Sequence, residues 1–370
     1  AIYQIIKKNK IDIVVIGPEQ PLVDGMVDYL HKKKIRVFGP SKFASQLEGS
    51  KAFMKKLCKK NNIPTANFGI FNSYNNASNF IKKNKLPIVV KADGLAAGKG
   101  VSICATLKEA LKKTKDILDG KFKSSNKVLL EEFLEGEELS YFSIVDEKSY
   151  YFFGSAQDHK KVGEGDTGPN TGGMGAYSPS PLLTKILEKK IKKKIIDPTI
   201  KAMKDLGHAY KGFLYAGLMI KKGEPYLIEY NIRMGDPECQ VIMMRLKTDL
   251  LKIIDHSTKN QLNNLKIKWD NKNCITIVLC ARGYPSTYIK NSELKNLQNL
   301  QNDKNSQIFH SGTYIKNNKI YSNGGRVLNV TILENNLIKA RNKSLKNIKK
   351  IKWDDGFYRK DIGWRVINTK

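Results

Sequence analysis

Apolar residues recur along the chain in two rhythms, and the places where the rhythm changes mark its elements. At the start Ile2, Ile5 and Ile6 are spaced for one helix face, with Lys7, Lys8 and Lys10 as the polar positions. The run I-D-I-V-V-I-G at 11–17 reads as a strand, G-P-E-Q-P at 17–21 as a turn, and I-R-V-F-G-P at 35–40 as a second strand after an intervening helix. Short apolar strands alternating with helices predict a parallel, doubly wound α/β layer. An amphipathic helix is expected over 51–61, stopped before Pro64. Strands follow at 88–92, 101–105 and 127–133, with a helix at 107–119. The runs at 139–145 and 150–156 read as antiparallel strands, and 157–181 as a polar, glycine-rich loop. Helices over 183–207 precede a hairpin of strands 213–220 and 226–232 that turns at Lys222 and Gly223. A helix after Asp236, an Asn/Lys-rich linker at 257–273 and a mixed segment with a helix at about 336–350 complete the pattern. The expected division is a partial α/β domain at 1–50, a central domain at 51–260 and a smaller closing α+β domain at 261–370.

Two stretches far apart fit one active site. V-V-K-A-D-G-L-A-A-G-K-G-V at 89–101 sets Lys91 at the end of an apolar run and follows it with a loop containing Gly94, Gly98, Lys99 and Gly100. L-I-E-Y-N-I-R-M-G-D-P-E at 227–238 sets Glu229, Asn231 and Arg233 on one face of a strand. A lysine and a flexible loop suit triphosphate oxygens, and a carboxylate beside a carboxamide suits Mg²⁺. Together they read as an ATP-dependent enzyme. Taken alone, the loop is equally a plain hairpin connection and Lys91 an ordinary strand-end lysine. The spacing is not that of a P-loop, because Gly100 stands where a metal-binding hydroxyl would follow the lysine. At 128–140, V-L-L-E-E-F-L-E-G-E-E-L-S is an apolar strand, a hinge and paired acids, whose backbone and carboxylates suit adenine and ribose or simply cap a turn. Asp158, His159 and Lys160 open the glycine-rich segment, where a long loop suggests a binding lid.

Composition narrows the class without changing this picture. The chain has 370 residues, 41% of them hydrophobic, and no apolar run approaches the roughly 18 residues of a membrane span. The five cysteines lack a C-x-x-C pairing, which suits reduced thiols and a cytoplasmic location. A net charge of +30 raises nucleic acid as a partner. Lysine outnumbers arginine, however, the lysines are scattered along helix surfaces, and aromatics are not interleaved as stacking platforms. Nucleic acid and membrane are therefore not expected partners, and the chain is expected to act as a monomer. The histidines His31, His159, His208, His256 and His310 have no zinc-ligand spacing, and no nucleophile elbow occurs.

With these motifs the chain resembles the ATP-grasp superfamily and, within it, the phosphoribosylamine–glycine ligase (glycinamide ribonucleotide synthetase) family. The resemblance rests on G-P-E-Q-P-L-V-D-G (17–25), F-G-P-S (38–41), L-E-G-S-K-A-F-M-K (47–55) and K-A-D-G-L-A-A-G-K-G-V (91–101). It continues through E-E-F-L-E-G-E-E (131–138), Q-D-H-K-K-V-G (157–163), D-T-G-P-N-T-G-G-M-G-A-Y-S-P (166–179), G-F-L-Y-A-G-L-M (212–219) and E-Y-N-I-R-M-G-D-P-E (229–238). N-G-G-R-V-L (323–328) and D-I-G-W-R (361–365) extend it to the last part.

The resemblance implies an ATP-grasp fold and a ligase of purine biosynthesis that joins glycine to 5-phosphoribosylamine through glycyl phosphate. It implies Lys51 and Lys91 on phosphates, with Gly98, Lys99 and Gly100 covering them, and Lys91 and Arg233 as catalytic groups. It further implies Glu131, Glu132, Phe133 and Leu134 at the adenine, Glu138 at the ribose, and Glu229 with Asn231 on Mg²⁺ or Mn²⁺. Asp158, Lys160, Gly172, Gly173, Arg233 and Asp236 would face glycine and phosphoribosylamine. Another ATP-grasp carboxylate–amine ligase, or a nucleotide-binding remnant without full activity, is the alternative. The chain departs from the resemblance in two ways. The strand at 212–220 lacks the acidic metal ligand that many ATP-grasp enzymes place there. The strand and G-N-G-G-R-E-type loop with which the family begins precede the first residue here, so a weakened phosphate site is expected.

Overall fold

The computed structural model describes residues 2–96, 100–122, 125–300 and 304–367, and the chain forms two compact units, each assembled from separated stretches. The first holds the residues up to Phe153, Thr184–Met234 and Leu251–Leu265. The second holds Gly154–Leu183, Gly235–Leu250 and the residues from Lys266 onward.

In the first unit the expected parallel pairing is formed by Val14–Val15 and Val37–Phe38. The helix between them is broken into Glu19–Asp24 and Met26–Lys32 at Gly25, whose φ of 94° only glycine adopts readily. The next layer is a four-stranded antiparallel sheet in the order Phe68–Phe71, Val128–Glu132, Ile88–Ala92, Val101–Cys104. Helices Tyr74–Lys83 and Leu107–Leu118 bury Ala77, Ile81, Ala110 and Ile117 against Ile88, Val90, Ala92, Val128 and Leu130. Side chains alternate across a strand, so Val89, Lys91, Leu129 and Glu131 leave from the opposite face. That alternation lets two charged residues sit inside apolar runs without entering the helix-covered core. A further antiparallel set pairs Glu137–Val145 with Gly212–Lys221, and Gly212–Lys221 with Glu224–Asn231. The hairpin turns at Lys222 (φ 51°) and Gly223 (φ 74°), the left-handed pair that a two-residue turn requires.

The second unit is built on an antiparallel sheet of Gly175–Ser178, Asn273–Ala281, Arg326–Glu334 and Ser306–His310. Helix Leu337–Ile348 packs on it, and Ile275, Ile277, Leu328, Val330, Ile332, Ala340 and Ile348 form its core.

The α/β class with α+β parts holds, but several expected elements differ. Strand Phe68–Phe71 and helix Tyr74–Lys83 were not legible. The helical stretch at 183–207 is Lys185–Ile191, a π-helical segment Lys192–Ile196 and Asp197–Asp205. Pro198 follows the π-helical segment and lacks the N–H that a continuous α-helix needs at that point. The glycine-rich stretch at 157–181 is ordered into the paired strands Lys161–Gly163 and Thr167–Asn170, followed by Gly175–Ser178. The expected linker at 257–273 contains a short 3₁₀ turn, Leu262–Asn264, that buries Leu262 and leads into a buried Leu265.

Candidate active site

In the first unit, separate elements bring charged side chains together. Helix Lys51–Lys60 begins at Ser50, whose Oγ accepts the Phe53 N–H at 3.1 Å. Asp93, one residue past strand Ile88–Ala92, reaches the same helix end. Its Oδ1 accepts from Ala52 N–H at 3.0 Å and from Ser50 Oγ at 3.2 Å. A carboxylate there satisfies an unpaired helix N–H and sits at the positive end of the helix dipole. The root of the glycine loop is thereby fixed to the helix that carries Lys51, and Lys51 Nζ donates to the Gly94 carbonyl at 2.8 Å. The loop closes with Ala92 N–H on the Gly100 carbonyl at 2.8 Å. A Cβ on Gly100 would approach Ala96 Cβ to 2.6 Å, so only glycine fits. The plain reading of this loop as a hairpin connection is therefore correct in geometry, and it is compatible with a phosphate role. Gly98 and Lys99 lie outside the described residues.

Glu229 and Asn231 are half-buried and alternate with the buried Tyr230 and Ile232, so they share a strand face as expected. Gly217 lies across from Glu229, where an added Cβ would stand 3.4 Å from Glu229 Cγ. Glu138, expected at the ribose, pairs with Met219 on the same central strand, two residues beyond Gly217. Burial lowers the Lys51 ammonium from its ordinary range, and Glu229, Asp93 and Glu48 oppose that while Lys91 reinforces it. Lys51, Lys91 and Glu229 thus share one electrostatic neighbourhood.

Glu131 is turned inward. It is 3% exposed, with Oε1 3.0 Å from Lys91 Nζ and Oε2 3.1 Å from Lys55 Nζ. Burial would raise its carboxyl, but Lys91 and Lys55 together hold it below the ordinary value. Glu132 exchanges bonds with Asn67: its N–H donates to the Asn67 carbonyl at 3.0 Å and its Oε1 accepts the Asn67 N–H at 2.9 Å. Phe133 and Leu134 follow in the hinge, which ends at Gly136, where a Cβ would meet the Ile220 carbonyl at 2.4 Å.

Arg233 is held by two acids that the sequence reading did not single out. Its Nε lies 3.1 Å from Glu19 Oε2 and its Nη2 3.2 Å from Glu48 Oε1. Glu48 Oε2 also accepts the Ile232 N–H at 2.8 Å. Burial pushes the Glu48 carboxyl from 4.5 up to about 7; Arg233 and the Ile232 N–H pull it down, and Glu19 and Glu229 add to the rise. A folded-state value above the unfolded one means that the fold binds this proton more tightly. The contribution to stability is present below 4.5 and is lost as pH rises through about 7. Urea unfolding across that window should therefore show a downward slope in stability that Glu48→Gln removes; an identical slope in the variant would show that Glu48 does not titrate there.

In the second unit, the segment at 157–175 is clasped rather than open. Arg359, 1% exposed, donates from Nη1 to Asp166 Oδ1 and to the Lys161 carbonyl, both at 2.9 Å. It also pairs bidentately with Asp361, Nε to Oδ1 at 2.8 Å and Nη2 to Oδ2 at 2.7 Å. His159, Arg359 and Arg365 hold the Asp166 carboxyl well below the usual carboxylate range. His159 is buried, accepts the Gly363 N–H on Nε2 at 2.9 Å, and is kept neutral chiefly by its burial. Removing the cation would leave two carboxylates without it, so Arg359→Met is expected to destabilise the fold by about 3–5 kcal/mol. Denaturant unfolding measures this, and a loss below 1 kcal/mol would mean that the clasp is solvated.

Of the residues expected near substrate, the second unit holds Asp158, Lys160, Gly172, Gly173 and Asp236. The Lys160 carbonyl accepts from Thr171 N–H at 2.7 Å, and Gly172 N–H donates to Tyr284 Oη at 2.9 Å. Arg326, from N-G-G-R-V-L, joins two of these residues. Its Nη1 donates to the carbonyls of Gly172 (2.7 Å) and Asp236 (2.8 Å), and its Nη2 to Asp236 Oδ2 at 2.9 Å. Gly173 has φ 115°, and a Cβ there would lie 2.4 Å from Pro237 Cδ.

Comparison with known proteins agrees with this architecture. The family models of phosphoribosylglycinamide synthetase match as the N domain over residues 1–48, the ATP-grasp (A) domain over 49–239 and the C domain over 274–365. A phosphoribosylamine–glycine ligase of Brucella melitensis is 47% identical across 98% of this chain and 86% of its own length. The crystal structure of phosphoribosylamine–glycine ligase from Thermotoga maritima gives a TM-score of 0.81 at 35% identity, covering 88% of this chain and 81% of its own. The biotin carboxylase domain of Hydrogenobacter thermophilus 2-oxoglutarate carboxylase, solved with MgADP, gives 0.76 at 17% identity over 96% of this chain and 78% of its own, a likeness of fold alone. Matched along its N, ATP-grasp and C domains, the chain belongs to the phosphoribosylglycinamide synthetase family and has the ATP-grasp fold.

Proposed function

We propose that this chain is an ATP-dependent carbon–nitrogen ligase of purine biosynthesis, joining glycine to 5-phosphoribosylamine to give glycinamide ribonucleotide, ADP and phosphate. The observation that carries the reading is Lys51, bonded to the Gly94 carbonyl, and Lys91, on the buried strand beside it, held together at the root of the glycine loop of an ATP-grasp fold. A carboxylate is a poor acceptor for an amine until it is phosphorylated, and phosphoryl transfer needs positioned cations more than a protein nucleophile. One glycine carboxylate oxygen bonds to the γ-phosphorus as the bond to ADP breaks. The amine of phosphoribosylamine then forms the C–N bond, phosphate leaves with the C–O electron pair, and the amine releases a proton.

In this proposal Lys51, Lys91 and the loop at 94–100 bind phosphate oxygens, the backbone of residues 132–134 binds adenine, and Glu138 binds ribose. Arg233, aimed by Glu19 and Glu48, orients an anionic group. Asp158, Lys160, Gly172, Gly173 and Asp236 serve glycine and phosphoribosylamine. Glu229 and Asn231 offer hard oxygens on one strand face, and no cluster of three or more His, Cys, Asp or Glu suited to a metal occurs among the described residues. That donor set fits Mg²⁺ or Mn²⁺ arriving with the nucleotide, since Mg²⁺ keeps phosphates and waters as ligands. When bound, the ion held by Glu229 and Asn231 would offset the charge on the phosphate oxygens.

The functional division at 1–50, 51–260 and 261–370, a monomeric state and a cytoplasmic location belong to the same proposal. All five cysteines are unpaired, which suits a reducing compartment. No helix among the described residues is long and apolar enough to cross a membrane. The test is ADP formation with each substrate omitted in turn: it should require both glycine and phosphoribosylamine, and ADP release with a different carboxylate or amine in their place would favour another ATP-grasp ligase.

A further inference from the structure

Lys55 has no role in the chemistry above, yet it is one of the most deeply buried cations of the chain, with no exposed surface. Its ammonium makes a defined set of contacts. Nζ lies 3.1 Å from Glu131 Oε2, donates to Thr65 Oγ1 at 2.6 Å, and stands 5.6 Å from the Phe68 ring centroid. Thr65 Oγ1 donates onward to the Leu227 carbonyl at 2.6 Å, and Leu227 N–H donates to the Pro64 carbonyl at 2.8 Å. Leu227 lies two residues before Glu229 on the same strand. Lys55 also shares its helix, Lys51–Lys60, with Lys51. One ammonium therefore links the helix of Lys51, the acid that holds Lys91 and the strand of Glu229 and Asn231.

The charge arrangement gives this link a purpose. Glu131 is a full carboxylate 3.0 Å from Lys91 Nζ, in a place where both are at most 4% exposed. With Lys91 as its only cation, a buried carboxylate would hold that ammonium firmly, because attraction is strong where water is excluded. A second cation on Oε2 divides the carboxylate between two partners and leaves a net positive charge on the triad. We propose that Lys55 is a positioning residue for the nucleotide site: it occupies Glu131 Oε2 so that Lys91 can serve phosphate oxygens, and through Thr65 it fixes the strand of Glu229. The inference rests on the reading of Lys91 as a phosphate ligand.

The test compares ATP and adenosine, because only phosphate binding depends on Lys91. In the full chain, Lys55→Met should raise KM for ATP about tenfold and leave adenosine affinity unchanged, whereas a merely structural lesion would weaken both. Lys55→Arg should keep KM near the wild-type value. Removing the acid as well, in Lys55→Met with Glu131→Gln, should restore KM to within about threefold, as expected for residues coupled through one charge. Where Lys55→Met does not fold, the double variant carries the test: recovery of folding and of ATP use supports the role, and a double variant no better than the single overturns it. An unchanged KM for ATP in folded Lys55→Met also overturns it if Lys91→Ala raises that KM. If Lys91→Ala leaves it unchanged too, the reading of Lys91 fails instead.

Discussion

Replacing Glu229 with glutamine is expected to cut turnover about 100-fold or more, which is about 3 kcal/mol of transition-state stabilisation. The swap keeps size and shape, so the register of the hairpin, with Gly217 opposite, should survive. What is lost is the one charged oxygen of the Glu229–Asn231 pair, and with it the capture of a divalent cation. The loss should be partly offset at high Mg²⁺ if the variant fails at binding the ion. Steady-state turnover over a Mg²⁺ series measures both, and wild-type turnover at ordinary Mg²⁺ would remove Glu229 from the site.

Lys91→Ala is expected to raise KM for ATP about ten- to a hundredfold, the range for losing a hydrogen bond to a charged group. Lys190→Ala is the matched control. Lys190 pairs with Glu224 at 2.6 Å on the surface of the hairpin, and such pairs contribute about 1 kcal/mol or less. Lys91 by contrast is the penultimate residue of a fully buried strand at the root of the glycine loop. Equal effects of the two substitutions on KM for ATP would show that Lys91 is only the partner of Glu131.

The parts of the site legible in the sequence were those that one strand encodes by itself. A period of two places Glu229 and Asn231 on one face, although the strand ends at Asn231 and Arg233 falls in the bend beyond it, and glycine marks where Lys91's strand turns back. The rest depends on pairings between distant stretches. Glu131 reads as one of a run of acids, and only the antiparallel register of Val128–Glu132 on Ile88–Ala92 brings it beside Lys91. Lys55 looks like any lysine on a basic helix, because its burial comes from Thr65, Phe68 and Glu131 and not from its neighbours in sequence. Glu19 and Glu48 stand in two short helices, Glu19–Asp24 (where the sequence reads as a turn) and Gln46–Gly49, far from Arg233 in sequence, so no spacing joins them.

In the fold, helix Tyr74–Lys83 fully buries only Ala77 and Ile81, too thin a stripe among asparagines to give a periodic signal. The strands within 157–181 are three or four residues each and rich in glycine, which hides their alternation. Their order comes from Arg359, nearly two hundred residues away, through Asp166 and the Lys161 carbonyl.

The most direct test of the ligase chemistry follows the oxygen atoms. Glycine carrying a heavy-oxygen label in its carboxylate should be turned over with ATP and phosphoribosylamine, and the released phosphate analysed by mass. Attack of the carboxylate on the γ-phosphate places one labelled oxygen in phosphate for each glycinamide ribonucleotide formed. Phosphate without label, with the displaced carboxylate oxygen found in water instead, would contradict a glycyl phosphate route on this fold.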